Sequence, residues 1–175
     1  MLRLFTLVLT LVVTVSALAE AVPPLWFKQL SGQRLRLPQL SSQSSSGVVV
    51  CVLWCSHCGS CRAVEDDVDN LCVEMRGRAT VVAVDASVDD DKRSIAAYLG
   101  KHRRHFEVLQ DPPGGLADRL NIGLTTTTVI FDDKGAIRYF GGWRSARAAL
   151  EELLQGSPVS QPTSPFNGCA IRRPL

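Results

Sequence analysis

Four of the six cysteines of this chain, Cys51, Cys55, Cys58 and Cys61, fall within eleven residues in the spacing C-x3-C-x2-C-x2-C; Cys72 and Cys169 stand apart. Thiols packed this closely along the chain cannot staple distant parts of a fold. They suit two kinds of chemistry: exchange between a dithiol and a disulfide, or capture of a soft metal ion. Two Cys-x-x-Cys pairs overlap here, Cys55/Cys58 and Cys58/Cys61, with His57 directly before Cys58. His57 is either a partly exposed turn histidine or an imidazolium that would stabilise a neighbouring thiolate.

The elements around the cluster decide between the pairs. Gly47 is followed by Val48-Val49-Val50-Cys51-Val52-Leu53-Trp54, a β-branched run that reads as a strand buried on both faces. From Gly59 to Met75, the positions Cys61, Val64, Val68, Leu71, Cys72 and Met75 recur at helical spacing and form one apolar stripe. The acids Glu65, Asp66, Asp67 and Asp69 are assigned to the other, solvent-facing side. With the strand ending near Trp54, Cys58 stands at the start of the helix, where free N–H groups and the positive end of the dipole favour a thiolate. Cys61 lies one turn inside and is shielded. Cys58 is therefore the expected nucleophile and Cys61 the resolving thiol. Cys55, Cys51 and Cys72 are expected to be small buried residues without redox work.

Downstream, Thr80–Val84 reads as a buried strand, 89–104 as a helix, 106–109 as a strand and 116–120 as a short helix. Strands 127–131 and 136–140 are joined by the turn Asp132-Asp133-Lys134-Gly135, and 145–154 is a last helix. Upstream, Leu25–Phe27 and Leu35–Leu37 suggest short strands, and 41–47 is a serine-rich loop. The order β-α-β-α-β-α-β-β-α gives an α/β sandwich with a mixed sheet, its last two strands antiparallel.

The segment Leu53-Trp54-Cys55-Ser56-His57-Cys58-Gly59-Ser60-Cys61-Arg62 resembles the F-W-A-x-W-C-x-x-C-R element of exported thioredoxin-like proteins, the TlpA/ResA group and the related AhpC/TSA-type redoxins. Phe106–Asp111 and Val129–Ile137 resemble later segments of the same family, so the similarity covers roughly 25–155. It implies a thioredoxin-like three-layer α/β/α sandwich with a mixed central sheet, and thiol–disulfide exchange. No cofactor is implied beyond a redox-active Cys58–Cys61 disulfide. The partners would be protein thiols and disulfides and one further redox partner. Four positions depart from the pattern. Cys55 takes the alanine position, His57 takes that of the tryptophan, and Asp66 stands where a proline often follows the second cysteine. Most consequential, Thr126 occupies the place of the family's cis-proline beside the dithiol. A cis bond before a non-proline costs about 3 kcal/mol, so Thr126 is expected to be trans and to leave the dithiol face more open. That openness would also favour the alternative function, a copper, zinc or iron–sulfur protein using Cys55, His57, Cys58 and Cys61. A thiol peroxidase is the weakest reading, since P-x-x-x-T-x-x-C would require proline at Cys51 and threonine at Cys55.

A formal net charge of +2, with 46% hydrophobic and 21% charged residues, is too small to suggest a nucleic-acid or anionic-membrane partner, and none is expected. Met1-Leu2-Arg3, an apolar stretch of about 15 residues and Ala17-Leu18-Ala19 read as a signal peptide, too short to span a bilayer. The expected organisation is a signal peptide over 1–19, a thioredoxin-like domain over 20–155 and an irregular tail over 156–175. The mature protein would be periplasmic or secreted, with no stable membrane span. His102 and His105 are assigned to a solvated basic helix end. Cys169 is either a free thiol on a disordered tail or half of a disulfide that pins the tail down.

Overall fold

The computed structural model describes residues 24–173, so the signal-peptide reading of 1–19 lies outside the described residues. Among the described residues no helix is long and apolar enough to cross a membrane. One seven-stranded sheet forms the centre. Its strands are β1 (Trp26–Gln29), β2 (Arg34–Arg36), β3 (Val49–Trp54), β4 (Thr80–Asp85), β5 (Glu107–Gln110), β6 (Thr127–Phe131) and β7 (Ile137–Gly142), in spatial order β2-β1-β5-β4-β3-β6-β7. β3, β4 and β5 run parallel, and β6 pairs antiparallel with β3 and with β7. The sheet is thus mixed, as the element order required.

β3 and β4 are buried at every position, which is what their β-branched runs dictate in the middle of a covered sheet. Alternation then sorts their side chains into two cores. Val50, Val52 and Trp54 join Val68, Leu71 and Met75 of helix α2 (Gly59–Glu74), Ile95 of α3 (Lys92–His102), and Trp143, Ala146 and Leu150 of α5 (Trp143–Leu154). Val49, Cys51 and Leu53 face the opposite core, with Leu37 and Leu40 of α1 (Leu37–Ser41) and Leu116 and Ala117 of α4 (Leu116–Arg119). Helices on both faces make the three layers expected.

The short α1 was not anticipated from the sequence. It begins where Pro38 stands in the first turn, a position where its missing N–H costs nothing. The β6–β7 turn forms as read. Asp132 accepts from the N–H groups of Lys134 and Ala136, both at 2.9 Å, and Gly135 takes a φ of 77° that a side chain would resist.

The tail after Gln155 carries no helix and only isolated bridges, in line with its lack of periodicity, yet it is packed rather than loose. Phe140 N–H donates to Pro162 O at 2.9 Å, and the Ser164 hydroxyl meets Tyr139 OH at 2.7 Å and Gly142 N–H at 3.0 Å. Ile171 N–H then reaches Gly123 O at 2.9 Å. This return path brings Cys169 back to the dithiol across more than a hundred residues of chain.

Candidate active site

Cys58 is the N-cap of α2. Its backbone is extended, and its sulfur accepts the Cys61 N–H at 3.3 Å. A sulfur in that position faces N–H groups that the helix itself leaves unpaired. The expected placement of Cys58 at the helix start and Cys61 one turn inside is therefore what the chain adopts. All six cysteines are free thiols here.

Burial works to raise the Cys58 thiol. Hydrogen bonds from the Cys169 and Thr125 side chains and from the Cys61 N–H outweigh it and bring the thiol below its ordinary value. Cys61 moves the other way. The hydrogen bond of its thiol to Cys55, together with burial, pushes it far above the ordinary thiol range. Cys55 is lowered, chiefly by the hydrogen bond from Cys61, against its own burial and the carboxylates of Asp90 and Asp85. Cys55 and Cys58 thus compete for the one Cys61 proton. Cys58 has the helix terminus, Thr125 and Cys169 on its side, whereas Cys55 faces two acids.

Cys55 is buried as expected, and its thiol packs against the dithiol. Its sulfur and those of Cys58 and Cys61 lie within 4.8 Å of one another. His57 has the exposure of a turn histidine, and the sulfur it meets is that of Cys55. Its ring is half exposed and lies 3.7 Å from the Cys55 sulfur, with Asp89 and Asp90 also at 3.7 Å. Asp90 fixes this loop by accepting from Ser56 N–H at 2.7 Å and Ser56 Oγ at 2.5 Å. The carboxylates therefore draw the imidazole toward Cys55. The four-residue metal set Cys55, His57, Cys58 and Cys61 is accordingly not assembled as one cluster. Among the described residues there are two groups that share Cys55: the three thiols, and Cys55 with His57 and Asp90.

Thr126 is trans, since the described residues contain no cis peptide bond, and its φ is 57°, a conformation strained for a β-branched residue. Two bonds hold it there: its N–H donates to Leu53 O at 2.6 Å, and its hydroxyl donates to Asn167 O in the tail. The N–H that proline would lack is what ties this loop to the end of β3. The expected open face is not present. Thr125, one residue earlier, sets its hydroxyl 3.1 Å from the Cys58 sulfur, and the tail closes over both, leaving Cys58 3% exposed. Sequence reading pointed one residue away from the contact because it followed the proline position. No periodic signal marks Thr125.

Glu65 is a second correction. It is 1% exposed, not solvent-facing. Trp54 Nε1–H donates to it at 2.7 Å, Tyr98 OH at 2.8 Å and Arg104 at 3.0 Å, so a fully bonded carboxylate locks α2 to β3 and α3. The signal was present: Cys61, Glu65, Val68 and Cys72 share one helical face by spacing. Cys72 is half-buried at the margin of that core, and Cys51 is fully buried, its thiol raised by burial and Asp111. At the C-terminal end of β4, beside Trp54, the buried Asp85 is raised to about 7, first by desolvation and then by Asp90 and Asp111. His105 is not simply solvated: its backbone N–H and ring meet Asp69 at 2.5 and 2.7 Å.

The fold recurs in known proteins. A Haemophilus influenzae protein described as a thioredoxin-like protein is 27% identical over 111 residues, which are 63% of this chain and 62% of that relative. The chain thus spans a little under two thirds of that relative's length. The crystal structure of a conserved protein from Geobacillus kaustophilus superimposes with a TM-score of 0.76 at 23% identity, over 89% of this chain and 91% of the other. That of a secreted Mycobacterium tuberculosis disulfide oxidoreductase homologous to E. coli DsbE does so with a TM-score of 0.51 at 19% identity, over 64% and 78%. These likenesses show a thioredoxin-like fold. The family model for AhpC/TSA matches residues 18–140, more than half of the chain and the whole of the dithiol unit, and the chain belongs to the AhpC/TSA family.

Proposed function

We propose that this protein is an exported thiol–disulfide oxidoreductase acting on protein thiols and disulfides, with Cys58 as the nucleophile and Cys61 as the resolving thiol. The observation that carries the reading is the opposite displacement of the two thiols, Cys58 lowered and Cys61 raised, across a single helical turn. The Cys58 thiolate attacks one sulfur of a substrate disulfide, forming a mixed disulfide and expelling the second substrate sulfur as a thiolate. That step consumes the negative charge at Cys58, one of the causes that keep Cys61 protonated. Cys61 then gives its proton to the departing thiolate and attacks the Cys58 sulfur. This closes the Cys58–Cys61 disulfide and frees the reduced substrate. Export is supported by the apolar N-terminal stretch and its Ala17-Leu18-Ala19 site.

A reductive assay on insulin with dithiothreitol tests the assignment. Cys58→Ser is expected to lower the rate at least about 1,000-fold, while Cys61→Ser accumulates a mixed disulfide with substrate. Full activity in Cys58→Ser would overturn it. The three-thiol cluster supports a second reading, a soft metal ion held by Cys55, Cys58 and Cys61. Metal analysis of the reduced protein during a redox titration separates the two: stoichiometric copper or zinc that blocks disulfide formation would favour the second.

A further inference from the structure

The tail does more than cover the site. Residues 167–171 run antiparallel to Gly123–Thr126. Thr125 N–H donates to Cys169 O and Ile171 N–H to Gly123 O, both at 2.9 Å, and Leu124 pairs with Ala170. Cys169 N–H donates to Thr125 Oγ1 at 2.9 Å, the same hydroxyl that stands 3.1 Å from the Cys58 sulfur. The Cys169 thiol lies 3.4 Å from Ser60 Oγ, inside the dithiol motif and two residues from Cys58, whose thiol it helps to lower. The approach is as close as a backbone allows. A Cβ added at Gly168 would fall 1.9 Å from Thr125 O, so no other residue fits there without moving the tail. An extended chain thus lies along the loop beside Cys58, with a cysteine sulfur set against the dithiol motif.

We propose that Cys169 is a third redox thiol of this protein, presented to Cys58 by the tail in the manner of a bound substrate. The proposal rests on the reading of Cys58 as nucleophile. From the Cys58–Cys61 disulfide, the Cys169 thiolate attacks the Cys58 sulfur. The Cys58–Cys169 bond forms, the Cys58–Cys61 bond breaks, and Cys61 leaves as a thiolate that takes up the proton given up by Cys169. The step is an isomerisation with no net oxidation, and it needs only the disulfide that substrate exchange supplies. In the reverse direction Cys61 recovers Cys58. The tail therefore stores the oxidised state in a form that also fills the substrate's place, and an incoming peptide must displace it.

Trypsin separates the partners. Cys51, Cys55, Cys58 and Cys61 fall in the peptide 37–62, and Cys169 falls in 148–172. The full-length mature protein is oxidised with glutathione disulfide, quenched in acid, digested without reduction and mapped by mass spectrometry. In Cys61→Ser, where the competing thiol is gone, the 37–62/148–172 pair is expected in most molecules. It is expected to vanish in Cys61→Ser/Cys58→Ser and to fall at least tenfold in Cys61→Ser/Gly168→Ala, where the tail is lifted but its thiol kept. Cys61→Ser protein that carries glutathione on Cys58 while Cys169 stays free overturns the proposal, as does a cross-link that survives Cys58→Ser. A wild-type protein that reduces insulin and forms Cys58–Cys61, with Cys169 free in every variant, refutes this inference alone. A wild-type protein that does neither refutes the oxidoreductase reading beneath it.

Discussion

The dithiol stands between two walls of different origin. One wall is the start of α2: Cys58, Cys61 and the N–H groups of the first turn, all within four residues of one another and held by bonds that any helix start offers. The other wall is built from Thr125, Thr126 and the tail around Cys169, which reach Cys58 from 67 residues away and Ser60 from 109 residues away. The first wall makes the two thiols unequal. The second adds donors to Cys58 and decides what can touch it. The reactivity of Cys58 thus draws on both walls, while access to it is set by the long-range one.

The largest effect on the far wall is expected from Thr126→Pro. Proline fixes φ near −65°, whereas this position sits at 57°, and the substitution deletes the N–H that bonds Leu53 O at 2.6 Å. A loss of about 3 kcal/mol or more in stability, measured by urea unfolding, should follow. If the variant keeps its stability, the loop is not held as described, and the division between the walls weakens.

A second effect tests the floor beneath both walls. Asp85 is raised to about 7 in the folded protein and titrates near 4 when unfolded. Between those values the folded state holds a proton that the unfolded chain has released, so this group makes stability fall as pH rises from about 4 to 7, and levels off above. Asp85→Asn keeps an acceptor for the Ser87 N–H, bonded at 3.0 Å, and removes the charge. It should stabilise the protein by roughly 2 kcal/mol at pH 8 and by little at pH 4, read from denaturant curves at the two values. Asp111, also raised by burial, contributes a slope of the same sign, so the variant should flatten the profile only in part. Equal effects at both pH values would rule out a buried proton at Asp85.

The finest test separates the walls at Cys58 itself. Thr125→Val keeps the shape of the side chain and removes the hydroxyl 3.1 Å from the sulfur. The pH dependence of Cys58 alkylation, followed by peptide mass, should move upward in Thr125→Val and stay near wild type in Thr125→Ser. No movement in the valine variant would remove Thr125 from the causes of Cys58 reactivity and leave the helix start and Cys169.

How much of this was legible beforehand follows the same division. The strand–helix turn, the asymmetry of Cys58 and Cys61 and the mixed sheet could all be read from residue types and spacing. Glu65 was legible too, because it shares the stripe of Cys61 and Val68, but its charge suggested the solvent side. Its burial depends on Trp54, Tyr98 and Arg104 arriving from three other parts of the chain. His57 went to Cys55 for a similar reason: Asp89 and Asp90 stand on a loop more than thirty residues away.

The sequence by itself therefore determined the parts of this protein that close over short stretches of chain. A helix start offers free N–H groups wherever the strand ends, and a buried strand follows from a β-branched run whatever its neighbours. Only the tertiary structure decided that Thr125 rather than Thr126 touches Cys58, that a trans threonine is held at positive φ by Leu53 and Asn167, and that a Ser/Pro/Gln-rich tail returns to set Cys169 beside the dithiol. Such contacts join segments with no periodicity of their own. They form only once the sheet has fixed where β3, β6 and β7 end, and so the spacing of residues along the chain carries no trace of them.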